Sequence, residues 1–294
     1  MDVTICIPTF NRWMTLEKAI RAYFAQTEHK AIRELLVIDD GSRDSTPQIV
    51  DQLSREAPIH LRYFRQANRG PAAARNVGIR EAKSDLILFT DDDIIPSRGL
   101  VSQHLEWHNR FRDESFAVLG HVEWSPEVSP TPFMRWYGSA ALFEFDRLRG
   151  RTEVEERYFY TCNVSVKTQL LRQSGGFDED FKVAAYEDIE LGRRLGKLGM
   201  RLFYNKDAVA YHLQHFTFED VCRRATKVEP AARVFRTKEV WVQDNHGAPN
   251  WLVSSLKARC KLVLIPALRP FKKLVDTRFP LPKTFYKVMF RVHR

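Results

Sequence analysis

Three consecutive carboxylates, Asp91-Asp92-Asp93, close the apolar run Asp85-Leu86-Ile87-Leu88-Phe89-Thr90. Anions this close at the exit of a strand repel one another, and without a counter-ion they destabilise the fold or take up protons. A hard divalent cation resolves the conflict, because Mg²⁺ and Mn²⁺ prefer carboxylate oxygens. The ligand such a cation would serve is a phosphate, so nucleotide chemistry is the first expectation. Two more acidic pairs are candidates for chemistry. Asp39-Asp40 follows the apolar run Leu35-Leu36-Val37-Ile38, and Glu187-Asp188 opens a segment of helical spacing.

These residues need a scaffold, and the first hundred residues read as one. Val3 to Ile7 is mostly apolar with little alternation, as in a strand buried on both faces. Pro8-Thr9-Phe10-Asn11 ends it. Leu16, Ala19, Ile20, Tyr23 and Phe24 then share a helix face. The run Leu35 to Ile38 predicts a second strand. Thr46-Pro47 predicts a helix start with Thr as N-cap, and Ile59 to Phe64 predicts a third strand. A small-residue helix is expected over Ala72 to Ala82 and a fourth strand over Asp85 to Thr90. Strand alternating with helix predicts a doubly wound α/β half with a parallel sheet. Ligands bind such sheets at the carboxyl ends of the strands, where Pro8-Thr9, Asp39-Asp40 and Asp91 to Asp93 all fall.

The second half is less regular. Strands are expected at Phe116 to Trp124, Tyr158 to Val166, Arg201 to Tyr204 and Ala208 to Tyr211, the last ending at His212. Residues 125–157 read as a long loop with some helix, Gly175-Gly176 as a turn, and Glu187 to Leu198 as a helix stopped by Gly199.

In this order the segments resemble family 2 glycosyltransferases. The matching stretches are Val3 to Arg12, Val37-Ile38-Asp39-Asp40-Gly41-Ser42-Arg43-Asp44, Asn68-Arg69-Gly70 through Gly78, Phe89 to Asp93, Gly175-Gly176-Phe177-Asp178-Glu179 and Glu187 to Leu195. Six segments in the family's order over roughly residues 2–213 make a specific signature. The resemblance implies the GT-A fold, a Rossmann-like mixed sheet flanked by helices. It also implies a UDP- or dTDP-sugar donor, a divalent cation (Mg²⁺ or Mn²⁺) and hexosyl transfer with inversion at the anomeric carbon.

It further implies roles for single residues. Asp91 and Asp93 would be the Asp-x-Asp element, with Asp91 facing ribose or metal and Asp93 the main metal ligand. Asp92 lies between them, and an alternative register makes it the ligand. Asp40 would accept a hydrogen bond from the base N3–H, which favours uracil or thymine over cytosine. Asp39 would face ribose or support the turn. Pro8, Thr9 and Asn11 would line the nucleotide. Arg75 either approaches the diphosphate or is a solvated helix residue. Asp188 would be the general base, held deprotonated by the helix dipole, with Glu187 orienting the acceptor. His212 would be a third metal ligand, with His215 ranked below it. Trp124, Trp136, Tyr137 and Phe181 could stack on an acceptor, but aromatic residues belong to the core by default.

Charge sets the tail apart from the body. Of the total +9, residues 251–294 carry +10 (eleven Lys/Arg against Asp276), leaving about −1 for residues 1–250. The extent of the resemblance implies boundaries of 1–213 for the GT-A unit and 214–294 for a basic, partly amphipathic helical region. Within the unit, 1–100 would bind nucleotide and 101–213 acceptor. The tail is expected either to lie on an anionic membrane surface, which would suit a glycan or lipid-linked acceptor, or to pack on the body. Nucleic acid is not expected as a partner, because three acidic strand ends repel phosphates unless metal intervenes. A nucleic-acid- or membrane-binding protein on an inactive GT-A-like domain is the alternative. The four dispersed cysteines, the lack of a basic-then-apolar leader and the lack of an apolar run near 20 residues predict a cytoplasmic protein, peripheral at most.

Overall fold

The structure is a computed structural model and describes residues 1–111, 113–238, 272–277 and 280–287 of the chain. The first half reads β1 (Val3–Thr9), α1 (Trp13–Phe24), β2 (Ile32–Asp39), α2 (Thr46–Glu56), β3 (Leu61–Arg65), α3 (Pro71–Glu81) and β4 (Leu86–Thr90). It continues through β5 (Ile94–Pro96), α4 (Leu100–Arg110), β6 (Phe116–Trp124), α5 (Pro132–Tyr137), β7 (Glu153–Val154), β8 (Asn163–Lys167), α6 (Thr168–Gln173), α7 (Glu187–Lys197), β9 (Arg201–His212) and α8 (Phe218–Thr237).

The sheet runs β3-β2-β1-β4-β8-β6-β9-β5, with β7 on the free side of β9. Its first four strands are parallel, as the apolar runs predict, and β1, β2 and β4 are almost fully buried. β8 then enters antiparallel between β4 and β6, so the sheet is mixed. The parallel pairing in the first half puts Thr9, Asp39 and Thr90 at neighbouring strand ends, and Asp91 to Asp93 leave directly from the last of these.

Helix α3 explains its own composition. Ala72, Ala73, Ala74 and Gly78 are buried, and a Cβ on Gly78 would run into Cys6 Sγ on β1. Small side chains let the helix backbone approach the central strand. Gly70 caps the helix at φ +93°, and a Cβ there would lie 2.7 Å from the Lys182 carbonyl oxygen. Only glycine tolerates both the left-handed backbone and the crossing chain.

Three expectations are corrected. Residues 158–162 are not strand. A short 3₁₀ turn over Glu156–Tyr158 leads the Tyr158 and Phe159 rings into the main core, and β8 begins only at Asn163. The two short strands expected between 201 and 211 are one strand, β9. It bulges where pairing with β6 jumps from Gly120–Asn205 to His121–Val209. Helix α2 begins at Thr46 itself, and Ser45 holds the cap position.

Most of the basic tail lies outside the described residues, including the amphipathic segment 251–268. Two described pieces pack on the body: Val275 and Tyr286 are buried against Phe133, Trp136 and Phe218 of α5 and α8. No described helix is long and apolar enough to cross a membrane.

Gly78→Ala is expected to lower stability by about 1–3 kcal/mol through overpacking. Adding Cys6→Ala should recover part of that loss in urea unfolding, because the clash is with the Cys6 side chain.

Candidate active site

A cavity of about 400 Å³ opens at the carboxyl ends of β1, β2 and β4, lined by Pro8, Thr9, Asp40, Arg75 and Asp91 to Asp93. His212, at the end of β9, and Phe143, Lys182 and Arg224 close its far side. The three strand ends singled out in the sequence therefore meet in one place.

The acidic triplet carries internal counter-ions. The Arg12 guanidinium spans two of the three carboxylates, donating to Asp93 at 2.6 Å and lying 3.1 Å from Asp92. Thr9 Oγ1 donates to Asp92 at 2.8 Å. Asp91 instead accepts from Arg75 Nη2 at 2.7 Å, and its side chain is 34% exposed against 5% for its two neighbours. The pair Asp92 and Asp93 splits in proton affinity. Burial pushes the Asp92 carboxyl up, and the adjacent Asp93 charge adds to this against the pull of Arg12. Burial opposes ionisation of Asp93 too, but His212 and Arg12 outweigh it and hold that carboxyl well below the usual range.

His212 is buried, with Nε2 3.3 Å from Asp93 Oδ2. Its Nδ1 has no partner among the described residues, and its ring stacks on Trp124 at 5.1 Å. His215 is exposed. Asp93 and His212 are an oxygen and a nitrogen donor of the kinds Mn²⁺ or Mg²⁺ takes, already side by side. Among the described residues no cluster of three His, Cys, Asp or Glu converges as a complete metal shell. A hard cation of this class commonly takes one or two protein ligands and completes its shell with phosphate oxygens and water, so the donor chemistry fits.

Asp40 and Asp39 diverge. Asp40 lines the cavity and accepts from Gln66 Nε2 at 2.7 Å and from the backbone N–H of Arg69 and Gly70, each at 2.8 Å. It thereby ties the loop before α3 to the end of β2. Asp39 is fully buried and accepts from Ser42 N at 2.7 Å and from the Tyr63 hydroxyl, so it supports the turn. Asn11 sits at φ +54° and is exposed. Its side chain accepts from Arg43 N at 2.7 Å, stapling the loop after β1 to the loop after β2. Neither Asp39 nor Asn11 is among the described residues that line the cavity.

Glu187 and Asp188 open α7 after Tyr186, which caps the helix at φ +71°. Arg75 is 3% exposed and joins them to the triplet: its Nη1 donates to Glu187 Oε1 at 2.9 Å while Nη2 holds Asp91. Arg75 is thus a buried bridge and not a solvated helix residue. Glu187 Oε2 has no partner among the described residues. Asp188 is half-buried, and its Oδ1 accepts from Ile189 N at 2.8 Å. Burial first, then the Glu187 charge, push its carboxyl up to about 7 against the pull of Arg75. Burial beside a second carboxylate works against the helix dipole at Asp188.

Trp136, Tyr137 and Phe181 are core residues. Arg12, Phe143, Lys182 and Arg224 are cavity residues that the sequence reading did not assign. Arg12 lies inside a segment already singled out, and its place right after Asn11 was the available signal. Lys182 and Arg224 lie in an irregular loop and on α8, where nothing in the local pattern marks them.

Arg75→Met leaves Glu187 buried without its cation and is expected to cost about 3–5 kcal/mol. Glu187 is already raised by burial, so the folded state binds more protons there than the unfolded chain, and stability falls as pH rises. Losing Arg75 steepens that fall. Denaturant unfolding should show a larger loss at pH 8 than at pH 5, and equal losses would contradict the bridging role.

The geometry agrees with what known proteins share with this chain. Residues 4–171 match the Glycosyl transferase family 2 profile. Validoxylamine A glucosyltransferase of Streptomyces hygroscopicus subsp. jinggangensis is 30% identical over 237 residues, covering 72% of this chain and 56% of its own. Hyaluronan synthase of Pasteurella multocida is 28% identical over 242 residues, covering 72% of this chain and 24% of its own. The chain spans about half the length of the first of these curated relatives. A mannosyltransferase of Pyrobaculum calidifontis, solved with GDP-Man and Mn²⁺, superposes with a TM-score of 0.63 at 21% identity over 99% of this chain and 86% of its own. Residues 1–349 of Staphylococcus aureus TarS, solved with UDP, superpose at 0.57 and 16% identity over 100% and 89%. These superpositions show the GT-A fold, and with the matched profile they establish that the chain belongs to glycosyl transferase family 2.

Proposed function

We propose that this chain is an inverting glycosyltransferase that moves a hexosyl group from a UDP- or dTDP-sugar to a hydroxyl of a glycan or lipid-linked acceptor. The observation that carries the reading is the Arg75 bridge. It joins Asp91 of the acidic triplet to Glu187, the neighbour of Asp188.

The base would rest against Pro8 and Thr9 and the exposed Phe10 ring, with Asp40 at its N3–H. Asp40 Oδ2 accepts one protein hydrogen bond and retains a lone pair for that contact. Lys182 and Arg224, which face the cavity, would neutralise the diphosphate. Asp93 and His212 would hold Mg²⁺ or Mn²⁺, with Asp91 toward ribose or metal. The bound cation supplies Lewis-acid stabilisation of the leaving diphosphate. Asp188 takes the proton from the acceptor hydroxyl while that oxygen bonds to the anomeric carbon. The bond from that carbon to the diphosphate oxygen breaks, and the nucleoside diphosphate leaves with the electron pair. A carboxyl raised to about 7 is a stronger base than an ordinary aspartate and is still substantially ionised near neutrality. Glu187, fixed by Arg75, maintains the raised proton affinity of Asp188. Residues 251–294 would contact an anionic membrane surface, which suits a lipid-linked acceptor.

In an assay of released nucleoside diphosphate, screened over UDP- and dTDP-sugars, Asp188→Asn is expected to lose about 10²–10⁴-fold in kcat. Donor-induced thermal stabilisation should survive in that variant. Normal turnover in Asp188→Asn would reject the assignment.

The base must be ionised, so wild-type kcat/KM should rise about tenfold per pH unit below about 7 and level off above it. A flat profile from pH 5 to 8 would remove Asp188 as the base. Chelation by EDTA should abolish release and Mn²⁺ should restore it, whereas full activity in EDTA would remove the cation from the mechanism.

A further inference from the structure

We propose that a second cavity, of about 780 Å³, is the acceptor site and that it takes a neutral oligosaccharide chain. This rests on the transferase reading above and names its acceptor class. The cavity lies beside β6 and the bulge of β9, under the segment 143–152. Its volume is in the range of sites that enclose most of a small ligand.

The floor is aromatic. Phe145 stacks on Tyr204 at 5.7 Å and 19°, and the His121 ring lies 4.8 Å from Phe145. Tyr204 Oη and His121 Nδ1 share a hydrogen bond of 2.8 Å, which fixes both rings. Flat rings suit the C–H faces of pyranoses, whose hydroxyl edges then point at the rim.

The rim is charged but balanced. Arg149 lies 2.9 Å from Asp146, Arg151 2.9 Å from Glu155, and Lys206 2.7 Å from Asp207. The rim charges left over, Arg135 and Glu123, are exposed and opposite in sign. Four lining cations stand against three lining anions, and Glu155 just outside the lining completes the balance, so the paired side chains offer donors and acceptors to hydroxyls with little surplus cation. A polyphosphate or polyanionic chain would need unpaired arginines or lysines here.

The position fits delivery to the donor. Phe143 lines both cavities, and Trp124, in the wall of the second, stacks on His212 of the first. Tyr160 lies 6.3 Å from each of the Phe143 and Phe145 rings. A chain seated on the aromatic floor therefore reaches, at Phe143, the edge of the first cavity.

The test uses the full chain on an array of neutral oligosaccharides (gluco-, galacto-, manno- and N-acetylhexosamine series) and anionic ones (uronate and sulfate series). Wild type is expected to retain neutral members. Glu123→Gln with Arg135→Ala should weaken that retention at least tenfold while UDP-induced thermal stabilisation stays unchanged, and Asp188→Asn should bind the array like wild type. Retention of anionic members only, no retention up to millimolar oligosaccharide, or retention indifferent to the rim variant would overturn the proposal. If donor is hydrolysed while nothing on the array binds, the cavity proposal fails and the transferase reading stands. If neutral members bind at the rim but no donor supports transfer, the acceptor role and the transferase reading fail together.

Discussion

Arg75 is the residue on which the site depends. It is a cation buried in the interior, and it persists because two carboxylates from distant parts of the chain satisfy it: Asp91, sixteen residues on, and Glu187, a hundred and twelve residues on. Removing a charge from water costs several kcal/mol, and only short, well-aligned partners return that energy. The arrangement is therefore restrictive. Helix α3 must lie close enough on β1 to aim Arg75 at the strand ends, which explains its small residues. The start of α7 must arrive at the same point, which fixes the left-handed backbone at Tyr186 and the docking of the 182–186 loop over Gly70. One guanidinium thus couples the half that would hold the donor to the carboxylates that would meet the acceptor.

The sheet does the rest of the positioning. Parallel pairing of β1, β2 and β4 stacks three polar exits at one edge of the crevice. β8 fills the place between β4 and the earlier β6, and β9 then pairs with β6, so that His212, 119 residues beyond Asp93, returns to its side. Trp124 and His212 end neighbouring strands in register, which is why their rings stack. The same register leaves a bulge at residues 206–208, and the second cavity lies beside it.

What the sequence revealed follows from what local pattern encodes. Buried parallel strands are continuous apolar runs, so the first four were visible with nearly correct ends. Strand exits carry the polar residues, so Asp40 and Asp91 to Asp93 were visible too. Spatial partnership is not local. Nothing in the run Asp91-Asp92-Asp93 shows that Arg12 spans two of the three and Arg75 takes the other, so the expected conflict among like charges is already moderated by the chain's own cations. Asp39 and Asp40 are adjacent in sequence, yet one faces the cavity and the other the turn, because neighbouring residues at a strand end point to opposite sides. The aromatic run Tyr158-Phe159-Tyr160 has strand composition, but the rings pack in and against the main core, and tertiary packing overrides propensity there.

The charges that line the donor cavity nearly cancel. Asp40 and Asp91 to Asp93 face Arg12, Arg75, Lys182 and Arg224. A nucleoside diphosphate adds at least two negative charges to this balance, and a cavity without surplus cation resists it. A divalent cation held by Asp93 and His212, as proposed, would bring two positive charges at once. Burial works in the same direction at Asp92 by favouring the neutral carboxyl. Arg12 shares its charge between Asp92 and Asp93, so a cation bound at Asp93 would free part of that guanidinium for the phosphates. On the proposed reading the acidic triplet is less a fixed metal cage than a charge reserve, countered by arginine and open to metal and diphosphate.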